Sequence, residues 1–109
     1  MRTSAAIVPH TGEELLRQLS SHLFWDVGRA GVDPERHQAF IIVRTMERGN
    51  FADVMAVWCH YGRQAVQDAL MQARSLEART LFFFANQFGV RPEQFRAYRD
   101  GSSRDAGGW

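Results

Sequence analysis

Four histidines and one cysteine are the residues of this chain best suited to bind a metal or attack a substrate. His10, His22, His37 and His60 fall in separate segments, and none forms a HExxH or His-x3-His pair. Cys59 and His60 are neighbours in sequence, so on a helix their side chains point about 100° apart. Such a pair cannot act as nucleophile and base. The sequence therefore predicts no metal site and no cysteine nucleophile.

The carboxylates have structural roles available to them. Glu13 and Glu14 stand where a helix begins, and acidic side chains are favourable there because of the helix dipole. Asp26 and Asp33 are suited to a turn and a helix cap. No GxGxxG, Walker or GxSxG motif is present. We therefore expect a protein that is not an enzyme and that needs no cofactor.

Composition restricts the class of protein further. The chain has 109 residues, of which 45% are hydrophobic and 23% charged, as in a single globular domain. Its formal charge of +1 does not by itself predict a nucleic-acid or membrane surface. One cysteine excludes an intrachain disulfide, and neither a signal peptide nor a membrane-spanning run is evident. A soluble cytoplasmic protein is the expectation.

Helix-start and helix-stop signals dominate the chain between two ends, 1–12 and 100–109, that we expect to be flexible. No segment alternates with a period of two residues. The sequence predicts one compact all-α domain over residues 13–99 with five or six short helices. They run from the Thr11 cap towards His22, from Asp33-Pro34-Glu35 to Arg48, from the Asn50 cap to Gly62, from Arg63 to about Arg74, from near Ser75 to Gly89, and from Pro92 through Tyr98.

Two aromatic clusters are the most informative feature. Leu23, Phe24 and Trp25 stand directly before Asp26, either as a core anchor or as a contact surface. In the fifth helix Leu81, Phe84 and Phe88 form the core-facing stripe. The helical period then directs Phe82 and Phe83 away from that core-facing side. Either neighbouring elements enclose that helix, or it presents an aromatic side chain to a partner.

The arginines leave a second interpretation open. The fourth and fifth helices have the outline of a helix-turn-helix, in which Arg63, Arg74, Arg79 and Thr80 would contact DNA. Against this, the turn lacks a glycine, the second helix is unusually apolar, and Glu77 would oppose phosphates.

Several segments together resemble a small uncharacterised bacterial family. Its pattern is an LFWD opening, a FIIxRVLxxG helix and an RSLSPRTxxFW segment, and the resemblance spans about residues 23–98. The matching stretches are Leu23-Phe24-Trp25-Asp26-Val27, Asp33-Pro34-Glu35-Arg36-His37, Phe40-Ile41-Ile42-Val43-Arg44, and Tyr61-Gly62 through Arg79-Thr80-Leu81 to Phe83-Phe84-Ala85. The chain departs from the pattern at Glu77-Ala78, where the family has Ser-Pro, and at Phe84, where it has Trp.

Members of that family are often encoded beside nucleotidyltransferase toxins of the abortive-infection type. The resemblance thus implies an antitoxin-like protein that binds and restrains a cognate nucleotidyltransferase toxin, and a homodimer is compatible with this role. The alternative is a small helix-turn-helix regulator bound to operator DNA, and both could hold together. The candidate partner contacts are Leu23, Phe24, Trp25, Asp26, Phe82 and Phe83.

Overall fold

A computed structural model describes residues 11–24, 26 and 31–101, and the backbone of residues 103 and 104. These residues form a single all-α domain, as the sequence predicts. Short 3-10 helices and a two-residue parallel pairing are also present among the described residues. The α-helices are α1 (Gly12–Gln18), α2 (Gln38–Arg48), α3 (Phe51–Tyr61), α4 (Arg63–Gln72), α5 (Ala78–Phe88) and α6 (Arg96–Arg99); the 3-10 helices are Ser21–Phe24 and Pro92–Gln94; the paired segments are β1 (Leu76–Glu77) and β2 (Ser103–Arg104).

The predicted helix caps are confirmed where the signal is local. Thr11 and Glu14 form a capping box: the Thr11 hydroxyl accepts from the Glu14 N–H, and the Glu14 carboxylate accepts from the Thr11 N–H. Asn50 and Asp53 form a second box at the start of α3. Gly89 ends α5 in the left-handed conformation, with φ of 69°, which glycine adopts without strain.

Three predicted helix starts differ from the structure. The predicted sixth helix begins as the 3-10 helix Pro92–Gln94, and α-helix follows only from Arg96. Asp33 does cap a turn, because its carboxylate accepts from the N–H groups of Glu35 and Arg36, but continuous α-helix begins only at Gln38. The fifth helix begins at Ala78 because β1 is extended and pairs with β2 in parallel register. This pairing carries the folded unit beyond residue 99 to Arg104. The ends 1–10 and 105–109, predicted to be flexible, lie outside the described residues.

Helix α2 lies at the centre of the core. It packs most extensively on α4 and also contacts α3, β1 and the Ser21–Phe24 helix. Ile41 and Ile42 on α2 and Leu70 on α4 are completely buried. A central second helix is what its broad apolar circumference predicts.

Arg44 joins the Ser21–Phe24 helix to α2. Its Nη1 donates to the Leu23 carbonyl oxygen at 2.8 Å, and the guanidinium forms a two-pronged ion pair with Asp26 at 2.9 and 3.2 Å. The same guanidinium lies 4.7 Å from the centre of the Phe40 ring. Hydrogen bonding to Arg44 holds the pKa of Asp26 below its ordinary value of 3.8.

Thr45 in α2 provides a stability test. Its side chain is completely buried, and its hydroxyl has no hydrogen-bond partner among the described residues. Since valine has the same shape without the unpaired polar atom, we expect Thr45→Val to raise the free energy of unfolding by about 1 kcal/mol. Urea denaturation measures this change. A loss of stability would show that the hydroxyl is bonded in solution.

Candidate interaction groove

An open apolar groove of about 570 Å³ lies between α3 and α5, and the last turn of α2 also lines it. Phe51 and Met55 from α3 and Phe83 from α5 stand at its edges. These side chains are 80%, 40% and 55% exposed, respectively. Large apolar side chains that are exposed together on one surface are characteristic of a protein-interaction site, whereas single exposed apolar residues are common on any protein surface. We call this feature the α3–α5 groove.

The N-terminus of α3 is fixed by Asp53, which is only 2% exposed. One carboxylate oxygen accepts from the Ser20 N–H at 3.0 Å, and the other accepts from the Asn50 N–H at 3.1 Å. Gly49 is needed beside it, because a Cβ there would stand 2.8 Å from Cβ of Asp53 and 2.7 Å from the Thr45 carbonyl oxygen. With Asp53 turned inward, Phe51 on the same helical turn faces outward.

Helix α5 supplies the second wall. Its predicted core stripe is confirmed: Leu81, Phe84 and Phe88 are buried. Phe83 meets Phe84 edge to face, with ring centres 5.0 Å apart. Trp58 of α3 stacks on Phe88 at 6.1 Å. The Trp58–Phe88 contact connects the two walls of the groove.

Phe82 and Phe83 are both exposed but belong to different surfaces. Phe83 lines the α3–α5 groove, whereas Phe82 lies outside it and meets Tyr98 edge to face at 6.2 Å. Phe82 is 49% exposed, close to the value for Phe83. The two positions therefore make a matched pair for mutagenesis on one helix.

The charged side chains that line the groove, Glu47 and Arg79, are bonded within the chain. The Glu47 carboxylate accepts from the Glu77 N–H at 2.7 Å, and Arg79 donates to the Glu77 carboxylate at 3.3 Å. Within the described ranges, no three His, Cys, Asp or Glu side chains lie close enough together to hold a metal. The groove can therefore bind a partner through apolar contacts and a complementary shape. The exposed guanidinium of Arg79 lies at its edge.

The four predicted partner residues that precede α2, Leu23 to Asp26, separate into three groups. Leu23 and Phe24 are 0% and 1% exposed, so their assignment to a contact surface is wrong. They fill the core beneath α2, where Phe24 packs 6.1 Å from the ring of Phe40. Trp25 lies outside the described residues. Asp26 is exposed but is held by Arg44.

Phe51 and Met55 are the groove residues that sequence reasoning missed. They belong to an apolar stripe on the third helix. The hydropathy pattern predicts an amphipathic helix there but does not show which residues of the stripe are exposed. The signal that distinguishes them is the capping box, because it turns Asp53 inward and leaves Phe51 on the outer side of the first turn.

The residues proposed for DNA contact are only partly available. Thr80 is 6% exposed, so its assignment to a DNA surface is wrong: it faces the floor of the groove. Arg63, Arg74 and Arg79 are all exposed, and the Arg63 guanidinium lies 5.8 Å from the centre of the Phe88 ring. Helix α4 packs mainly on α2, α3 and α6, whereas α5 packs mainly on β1, β2 and Pro92–Gln94. A helix-turn-helix instead requires its two helices to pack closely on each other.

In the part of the chain that the structure describes, no helix combines the length and apolar character needed to cross a membrane. No curated protein and no solved structure is significantly similar to the chain. One family model does match, and the matched span contains α2, α3 and most of α4 but stops short of α5. Over residues 19–70 the chain is similar to a family of unknown function, DUF6922.

Proposed function

We propose that this protein is an antitoxin-like binding module that holds an apolar segment of a cognate nucleotidyltransferase toxin in its α3–α5 groove. The observation that carries the proposal is the exposure of Phe51, Met55 and Phe83 around a single groove. The class of partner rests on the resemblance to proteins encoded beside such toxins.

The size of the exposed surface favours a protein as the partner. Phe51, Met55 and Phe83 together expose about 350 Å² of mainly apolar surface. Covering it contributes roughly 8 kcal/mol before the cost of association is subtracted. The free energy that remains after this cost is subtracted is compatible with specific but reversible protein binding.

The shape of the groove favours a helical segment. Its walls α3 and α5 are each 11 residues long, which corresponds to about 16 Å or three turns. An amphipathic helix that enters such a groove presents apolar side chains at spacings of three, four and seven residues. An antitoxin of this kind needs no active site, since covering a functional surface of the toxin is sufficient.

The proposal is tested by co-expressing the chain with the protein encoded by the neighbouring gene. Size-exclusion chromatography with mass determination should then yield a stoichiometric complex. Two separate peaks would contradict the proposal. If the isolated chain then bound operator DNA with an affinity that fell steeply with salt, the DNA-binding alternative would replace it.

A further inference from the structure

We infer that, in the free protein, the α3–α5 groove is occupied by a second copy of this chain in a two-fold dimer, with Phe51 of each copy inserted into the groove of the other. The inference goes beyond the proposed function and does not require it, because it concerns the protein without its partner.

The groove and the side chain that would fill it belong to the same surface. Phe51 stands at the edge of the groove and is the most exposed large hydrophobic residue in the described part of the chain. The groove volume of about 570 Å³ is ample for one phenyl ring beside its existing walls. A surface that carries both a projecting side chain and a recess large enough to receive it can pair with a second copy of itself, as a two-fold interface requires.

The exposed area is sufficient for the centre of a small interface. A stable dimer buries about 800 Å² per copy, with apolar side chains at the centre and polar ones at the rim. Phe51, Met55 and Phe83 provide about 350 Å² of this centre. Asn50 and Gln87 are exposed at the groove and can provide part of the rim. The expected dimer is therefore small and dissociates on dilution.

The charges of the groove favour a second copy over a highly charged partner. Glu47 and Arg79 are the charged residues that line it, so their formal charges cancel. The whole chain carries a formal charge of +1. Two copies therefore meet without strong repulsion, whereas a nucleic acid would need an excess of positive charge at this surface.

Dimerisation would also regulate partner binding if both use the groove. A partner must displace the second copy, so the apparent affinity for the partner should fall as the protein concentration rises. This consequence rests on the proposed function. The dimer itself is tested on the purified chain alone, so failure of one idea is distinguishable from failure of the other.

Sedimentation equilibrium of the purified full chain tests the inference. At about 100 µM we expect a mass approaching twice the 12.5 kDa of one chain, and about 12.5 kDa after dilution to low micromolar concentration. Phe51→Glu should raise the dimer Kd at least about 30-fold, while Phe82→Glu, outside the groove, should leave it within about twofold. A monomeric wild type at about 100 µM, or an unchanged Kd in Phe51→Glu, overturns the inference.

A second measurement keeps the test independent of how well the glutamate variant folds. Chains labelled with ¹³C at the methionine methyl groups are mixed with unlabelled chains, and nuclear Overhauser effects between different chains are selected. The Met55 methyl group should show contacts to aromatic protons of the other copy. If Met71 on α4, outside the groove, shows such contacts and Met55 shows none, the dimer uses a different surface.

Discussion

Replacing Phe83 by glutamate is expected to weaken binding of the cognate toxin at least about 100-fold and to change the free energy of unfolding by less than about 1 kcal/mol. Phe83 lines the α3–α5 groove and is 55% exposed, so the glutamate keeps access to water in the free protein. In the complex, the same carboxylate would be buried against an apolar segment without a partner. Isothermal titration calorimetry and urea denaturation measure the two effects.

Phe82→Glu is the matched control for this experiment. It places the same charge on the same helix at a residue with similar exposure, but outside the groove. We expect toxin binding by this variant to stay within about threefold of wild type. Equal losses in the two variants would show a general effect of charge on α5, and a large loss of stability in Phe83→Glu alone would show that Phe83 belongs to the core.

The largest expected loss of stability comes from removing the buried carboxylate at the start of α3. Asp53→Ala should lower the free energy of unfolding by roughly 3 kcal/mol, because the N–H groups of Ser20 and Asn50 both lose their acceptor in a partly buried environment. The lost bond from the Asn50 N–H is one half of the capping box at the start of α3. Urea denaturation followed by circular dichroism measures the change.

Asp68→Ala is the control for Asp53→Ala. Asp68 is an exposed carboxylate on α4 that accepts from the Gln64 side chain at 2.9 Å. Its loss should cost less than about 0.5 kcal/mol. Similar effects of the two substitutions would contradict the structural role assigned to Asp53, and with it the explanation for the outward placement of Phe51.

The elements that sequence predicts well depend on neighbouring residues. The Thr11 and Asn50 caps and the glycines that end α3 and α5 act within a few residues, so a single sequence carries the information. The central position of α2 follows from its broad apolar face. The β1–β2 pairing was not predictable in this way, because each segment has two residues and they are 27 positions apart.

The candidate site shows the same limit more clearly. Leu23-Phe24 and Phe82-Phe83 are both runs of large apolar residues, yet the structure buries the first and exposes the second. What separates them is the packing of α2 over the Ser21–Phe24 helix, a contact between distant parts of the chain. Phe51 owes its exposure to Asp53, whose carboxylate reaches Ser20, 33 residues away. Neither of these long-range contacts can be predicted from the hydropathy of the sequence alone.

The central claim, that the α3–α5 groove binds the toxin, is tested most directly by methionine-methyl NMR. Met46 and Met55 line the groove, whereas Met71 lies on α4 outside it. When the chain labelled with ¹³C at its methionine methyl groups is titrated with the purified nucleotidyltransferase, we expect the Met55 and Met46 signals to shift and the Met71 signal to stay in place. A shift of Met71 without a shift of Met55 would contradict the claim.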